Sequence, residues 1–79
     1  MPPKWTEKQG QYLAFIYNYT KIHRRPPAEA DMERYFKVAP PTVHQMILNL
    51  DKSKLLHRVP GQARSIILLV TNEDIPLLK

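Results

Sequence analysis

Thr42, Gln45 and Asn49 recur every three to four residues, so they share one side of a helix whose opposite side is Val43, Met46, Ile47 and Leu50. These neutral polar groups have chemistry suited to base edges. A carboxamide can bond adenine through two parallel hydrogen bonds, and threonine offers a methyl to thymine or a hydroxyl to phosphate. A histidine such as His44 can donate to phosphate or guanine. With Val43 as the inward reference and about 100° per residue, Pro41, Gln45, Leu48 and Lys52 point away from the core, flanked by Thr42, His44 and Asn49. Gln45 sits at the centre of that face and is the leading candidate for reading a base; Pro41, Thr42, His44 and Asn49 complete the set. The alternative is an ordinary solvated polar face.

A base-reading helix also needs groups that hold the nucleic-acid backbone. Lys37, Lys52 and Lys54 bracket the helix, Arg58, Gln62 and Arg64 follow it, and Arg24 and Arg25 precede it. All eight are candidate phosphate contacts. For Arg24 and Arg25 the competing role is to satisfy a helix C-terminal dipole; for Arg58, Gln62 and Arg64 it is simple solvation. Residues 1–70 hold eleven Lys/Arg against five Asp/Glu, whereas residues 71–79 hold one Lys against two acids. A basic domain suits a polyanion, because neutralising phosphates releases counterions.

Three helices and a hairpin can position these groups. Thr6-Glu7-Lys8-Gln9 has the form of a capping box, and Tyr12, Leu13, Phe15, Ile16, Tyr19 and Ile22 give the following helix, about 7–22, its apolar face. Trp5 stands at the staple position. Its partner there would be Gly10, so Trp5 is expected to pack elsewhere on the helix. Pro26-Pro27 ends the first helix. A second, roughly 28–36, buries Met32 and Phe36. A third, about 40–53, opens on Pro40 and Pro41, whose missing N–H groups cost nothing at that position. Leu55–Val59 and Arg64–Leu69 then read as strands around the four-residue loop Pro60-Gly61-Gln62-Ala63. The expected fold is mainly α, a three-helix winged helix-turn-helix with a two-stranded β-hairpin wing, over residues 1–70. Residues 71–79 form a C-terminal tail.

Leu48 faces outward, as do Ile67 and Leu69 if Ile66 and Leu68 face the core. With Leu77 and Leu78 they form a candidate dimer or partner surface, unless the tail folds back over them. Other classes fall away. The chain has no cysteine, and His23, His44 and His57 lack metal-ligand spacing, so neither a metal nor another cofactor is expected. No carboxylate pair or glycine-rich loop suggests an enzyme or a small-molecule substrate. Met1–Lys4 leads into no signal-like stretch, and the longest apolar run, Ile66–Val70, is too short to span a bilayer; a cytoplasmic protein without membrane contact is expected.

Thr6-Glu7-Lys8-Gln9, Pro26-Pro27, Pro41-Thr42-Val43-His44, and Pro60-Gly61 followed by Arg64-Ser65-Ile66 and Leu68 together resemble, in order and spacing, the N-terminal DNA-binding domain of the LexA family of bacterial SOS-response repressors. The likeness covers about residues 5–70. It implies that the third helix enters the major groove of double-stranded DNA, that the wing lies along the backbone, and that two copies bind a palindrome as a homodimer. It also implies transcriptional repression. LexA-like repressors carry a C-terminal self-cleaving and dimerising domain built on a Ser–Lys pair; the residues after Val70 are too few to form one, so DNA binding without self-cleavage is expected. Glu73–Leu78 is similar to the family's acidic hinge. Lys37 and Lys54 stand where the family pattern has glycine, at turns that often need left-handed backbone, at a cost of about 1 kcal/mol each. Ala39 replaces a capping serine, which forfeits ~1 kcal/mol. A winged helix can instead serve protein–protein assembly, here through Leu48, Ile67, Leu69 and the tail.

Overall fold

Thr6 starts the first helix as its capping box requires: its Oγ1 accepts from the Gln9 N–H at 3.1 Å, and the Gln9 Oε1 accepts from the Thr6 N–H at 2.9 Å. The computed structural model describes residues 5–79, so Met1–Lys4 lies outside the described residues. Three helices, α1 (Glu7–His23), α2 (Glu29–Phe36) and α3 (Pro40–Lys52), precede a two-stranded antiparallel hairpin of β1 (Leu56–His57) and β2 (Ile67–Leu68). Leu56 pairs with Leu68 and His57 with Ile67. This is a mainly helical winged helix-turn-helix.

The core takes Tyr12, Leu13, Phe15 and Ile16 from α1, Met32 from α2, Val43, Ile47 and Leu50 from α3, and Leu55, Leu56 and Ile66 from the hairpin segment. α2 and α3 each offer one apolar side, whereas Tyr12–Ile16 of α1 are buried all round the helix; burying these surfaces together supplies most of the stability, and truncating a leucine such as Leu50 to alanine would cost about 2–5 kcal/mol. Ile22 departs from the expected face. It is 73% exposed, because the last turn of α1 runs past the elements that cover the earlier turns.

Helix ends follow the expected chemistry, with one refinement. Lys37 (φ +56°) and Lys54 (φ +61°) are both left-handed, as expected for residues at glycine-like positions, and Arg24 (φ +59°) joins them at the end of α1. After α3 the N–H of Leu55 reaches the Leu50 carbonyl and that of Lys54 the Asp51 carbonyl, both at 3.0 Å, which is a Schellman closure with Leu55 and Leu50 both in the core. Ala39 makes no side-chain cap. Little is lost by this, because Pro40 and Pro41 have no N–H to satisfy and the Thr42 N–H bonds the Ala39 carbonyl at 3.0 Å.

The hairpin is shorter than the sequence pattern suggests. In place of strands over 55–59 and 64–69, only two residues pair on each side, and Arg58–Ile66 connects them. Ser65 accounts for the difference. Its Oγ accepts from the Val59 N–H at 2.9 Å and lies 2.9 Å from the Gln62 carbonyl, while the Gln62 N–H bonds the Val59 carbonyl. Side-chain bonds thus replace ladder bonds there, and left-handed Gly61 and Arg64 interrupt extended backbone.

Trp5 also corrects its expectation. A Cβ placed on Gly10 would lie 3.0 Å from Trp5 Cδ1 and Nε1, so the indole sits on the glycine itself. The staple forms because Gly10 leaves room for the ring.

Candidate nucleic-acid interface

The outer face of α3 presents Pro41, Thr42, His44, Gln45 and Asn49 to solvent, and all five are exposed. The Gln45 Nε2 donates to the Asn49 Oδ1 at 3.0 Å, one helical turn on, which holds two amides side by side at the centre of that face. Pro41, Thr42, Gln45 and Asn49 rim a shallow depression with Met46 in its lining. Met46, expected inward, is only partly buried. Leu48, expected outward, is partly buried as well.

His44 is not free. Its Nδ1 lies 3.2 Å from Glu29 Oε1 and 3.3 Å from Oε2, so the first residue of α2 holds the imidazole from the neighbouring helix. Sequence periodicity could not find Glu29, because the pair joins two helices rather than two turns of one. His44, Glu29 and Arg58 line, with Pro27, Ala28 and the wing segment Gly61–Ile66, a cleft of about 380 Å³ between α3 and the wing.

The candidate phosphate contacts divide. Arg24, Arg25, Lys37, Lys52, Lys54 and Gln62 are exposed. Arg64 does not reach outward. Its Nη1 lies 3.1 Å from the Tyr19 hydroxyl, 3.2 Å from the Pro26 carbonyl and 3.2 Å from Asp31 Oδ2, so it ties the wing to α1, the α1–α2 connection and α2. Arg58 is 17% exposed, with its Nε buried 3.9 Å from Asp51 Oδ2 and without a hydrogen-bond partner among the described residues. Both arginines correct the expectation of outward wing cations. For Arg64 the physical reason is a buried acid: desolvation disfavours a lone carboxylate, and a guanidinium with several donors offsets it.

Asp31 is that acid, its side chain 9% exposed. Oδ2 also accepts from the Ala28 N–H at 2.8 Å, which caps α2 where Ala28 has no side-chain acceptor, and Oδ1 pairs with Arg34. Burial pushes the Asp31 carboxyl up. The Ala28 N–H, Arg64, the Tyr19 hydroxyl and Arg34 outweigh it and hold the carboxyl below its ordinary value. The Tyr19 hydroxyl and then Asp31 raise the guanidinium of Arg64, against a loss from burial.

Of the apolar candidates for a partner surface, Ile67 is 60%, Leu69 55% and Leu77 91% exposed. Leu78 instead packs against the core. The tail does fold back, but onto α1 and α2, so it leaves Ile67 and Leu69 uncovered. Among the described residues, no group of His, Cys, Asp and Glu is placed to hold a metal ion, and no helix is long and apolar enough to cross a membrane.

No family model matches the chain. It is 36% identical over 72 residues to the LexA repressor of Thermosipho melanesiensis and 31% identical over 72 residues to that of Thermosipho africanus, in each case across 91% of this chain. The matched part spans 36% of the length of each relative. Over the matched residues the chain is in sequence a homologue of the LexA repressors, and its three helices and hairpin are consistent with a LexA-like DNA-binding domain.

Proposed function

We propose that this domain reads double-stranded DNA sequence-specifically and acts as a transcriptional repressor or regulator, two copies binding a palindrome. The observation that carries the reading is the exposed α3 face, where Gln45 and Asn49 hold each other in place beside Thr42 and Pro41. Lys37 stands just beyond the end of α2 and Lys54 just beyond the end of α3, and Lys52 is in the last turn of α3. Neutral amides discriminate bases, whereas the lysines attract phosphate without regard to sequence. The DNA backbone then passes through the cleft between α3 and the wing, with Gln62 on its wall. Similarity to repressors supports this reading. Occupying an operator requires no catalytic step.

Salt titration on random duplex and on a pool enriched for a selected site tests the proposal. Four to five phosphate contacts among Arg24, Arg25, Lys37, Lys52 and Lys54 give log K against log salt a slope of about −4 per monomer, with tighter binding to the enriched pool. A slope near zero overturns it. The second reading, assembly through an apolar surface, is favoured by exposed Ile67 and Leu69. Sedimentation across a concentration series separates the two: association without DNA that Ile67→Lys abolishes supports assembly, and a strict monomer that binds DNA removes it.

A further inference from the structure

Residues 71–79 are held against the domain by a set of contacts that no role in DNA reading accounts for. A 3-10 turn at Asn72–Asp74, closed by the Thr71 hydroxyl donating to Asp74 Oδ2 at 2.9 Å, redirects the chain. Beyond it, Gln11 on α1 grips the backbone at two points. Its Nε2 donates to the Leu77 carbonyl at 2.9 Å and its Oε1 accepts from the Lys79 N–H at 2.8 Å. These are the two bonds that one residue of a parallel strand makes to the residues either side of its partner, so a side-chain amide stands in for a strand. The Tyr35 hydroxyl on α2 donates to the Lys79 carbonyl at 2.7 Å, and Lys79 Nζ pairs with Glu7 at 2.6 Å.

Side chains alternate along this segment as they do on a strand. Leu78 packs against the core and Leu77 points into solvent. Pro76, on the same side as Leu78, has its Cγ 3.1 Å from where a Gly10 Cβ would be, the point that the Trp5 indole also approaches at 3.0 Å. An alanine at position 10 would have to displace the indole, the proline or both.

We propose that the surface of α1 and α2 bounded by Glu7, Gly10, Gln11 and Tyr35 is a peptide-docking groove for an extended segment with proline and leucine two residues apart, and that residues 75–79 occupy it in cis. Main-chain bonds supply affinity and the two inward side chains supply selectivity, as in β-augmentation. Trp5, the single tryptophan, reports on occupancy.

In the 79-residue chain, Leu78→Asp empties the groove: Trp5 emission shifts to the red and is quenched more readily by acrylamide, while far-UV circular dichroism keeps its helical signal. A synthetic peptide with the sequence of residues 71–79 then restores the emission at millimolar concentration, the range that a short tether supplies in cis. The same peptide carrying Leu78→Asp does not. Adding Gln11→Ala weakens capture of the peptide roughly tenfold, in line with two lost hydrogen bonds at an exposed site. If Leu78→Asp proves unfolded, Gln11→Ala with Tyr35→Phe leaves the core untouched and must give the same red shift. Unchanged Trp5 emission in a folded variant, or no capture of the peptide, overturns the proposal. So does wild-type emission that changes with protein concentration, which would place the tail of one copy on another.

Discussion

Around α3, Lys37, Lys52 and Lys54 keep their charges in solvent, whereas in the wing segment Arg58 and Arg64 turn theirs into the domain. The lysines sit at or beyond helix C-termini, where a cation complements the backbone dipole and needs no side-chain partner. The arginines sit beside carboxylates, Asp51 and the nearly buried Asp31, and Arg64 meets three acceptors at once. A positive charge in a DNA-binding fold is therefore no guide to DNA contact until its neighbours are known. An acid within reach separates the two groups: nearly buried Asp31 for Arg64 and partly exposed Asp51 for Arg58.

The sharpest way to break this contrast is Asp31→Ala, which removes the cap on α2 and the one charged acceptor among the three of Arg64 together and is expected to cost about 2–3 kcal/mol of stability by chemical denaturation. Affinity for random duplex should keep its salt slope. Because the Asp31 carboxyl lies below its ordinary value when folded, its contribution is present above the unfolded value near 3.9 and fades as pH falls through the lower folded one. Wild-type melting temperature should therefore drop more on acidification from neutrality into that range than that of Asp31→Asn; equal drops would place the acid-sensitive group elsewhere. Arg64→Ala belongs to the same test, with a lower melting temperature and an unchanged salt slope; a slope reduced by one would return Arg64 to the phosphate contacts.

Next in size is Gln45→Ala, expected to cost about 1–3 kcal/mol on a selected site while leaving non-specific binding and the salt slope nearly unchanged. Gel-shift titrations on matched selected and scrambled duplexes measure this, and equal losses on both would deny α3 its reading role. Lys37→Gly should move stability and binding in opposite directions. Relief of a left-handed side chain adds about 1 kcal/mol of stability, and removal of a phosphate contact lowers the salt slope by about 0.9. The smallest effect is expected of Glu29→Gln. Loss of a partly exposed pair with His44 changes stability by well under 1 kcal/mol, and measurable tightening on the selected site would show that Glu29 restrains the imidazole.

Much of the framework was legible in the chain itself. The capping box at Thr6, the proline pair that ends α1 and the prolines that open α3 came out as expected, and the left-handed turns at Lys37 and Lys54 did so from the likeness to a family that has glycine there. The polar outward set of α3 did so, Leu48 apart, for the same reason that Leu50 and Ile47 turn inward, a fixed rotation per residue. Strand length was less legible, because alternation over 55–59 and 64–69 does not reveal that the Ser65 hydroxyl will take the place of ladder bonds.

Sequence alone thus determined where the helices start and stop, which side of each is apolar and which amides crown α3, since caps, turns and periodicity depend on residues within a few positions of one another. Tertiary structure decided what those local rules leave open. Arg64 finds Asp31 across 33 positions, Lys79 finds Gln11 across 68, and Trp5 comes to rest on Gly10 beneath Pro76. Such pairings arise only when packing brings distant segments together and a desolvated acid, an empty Cβ position or an unpaired amide selects among the groups then within reach.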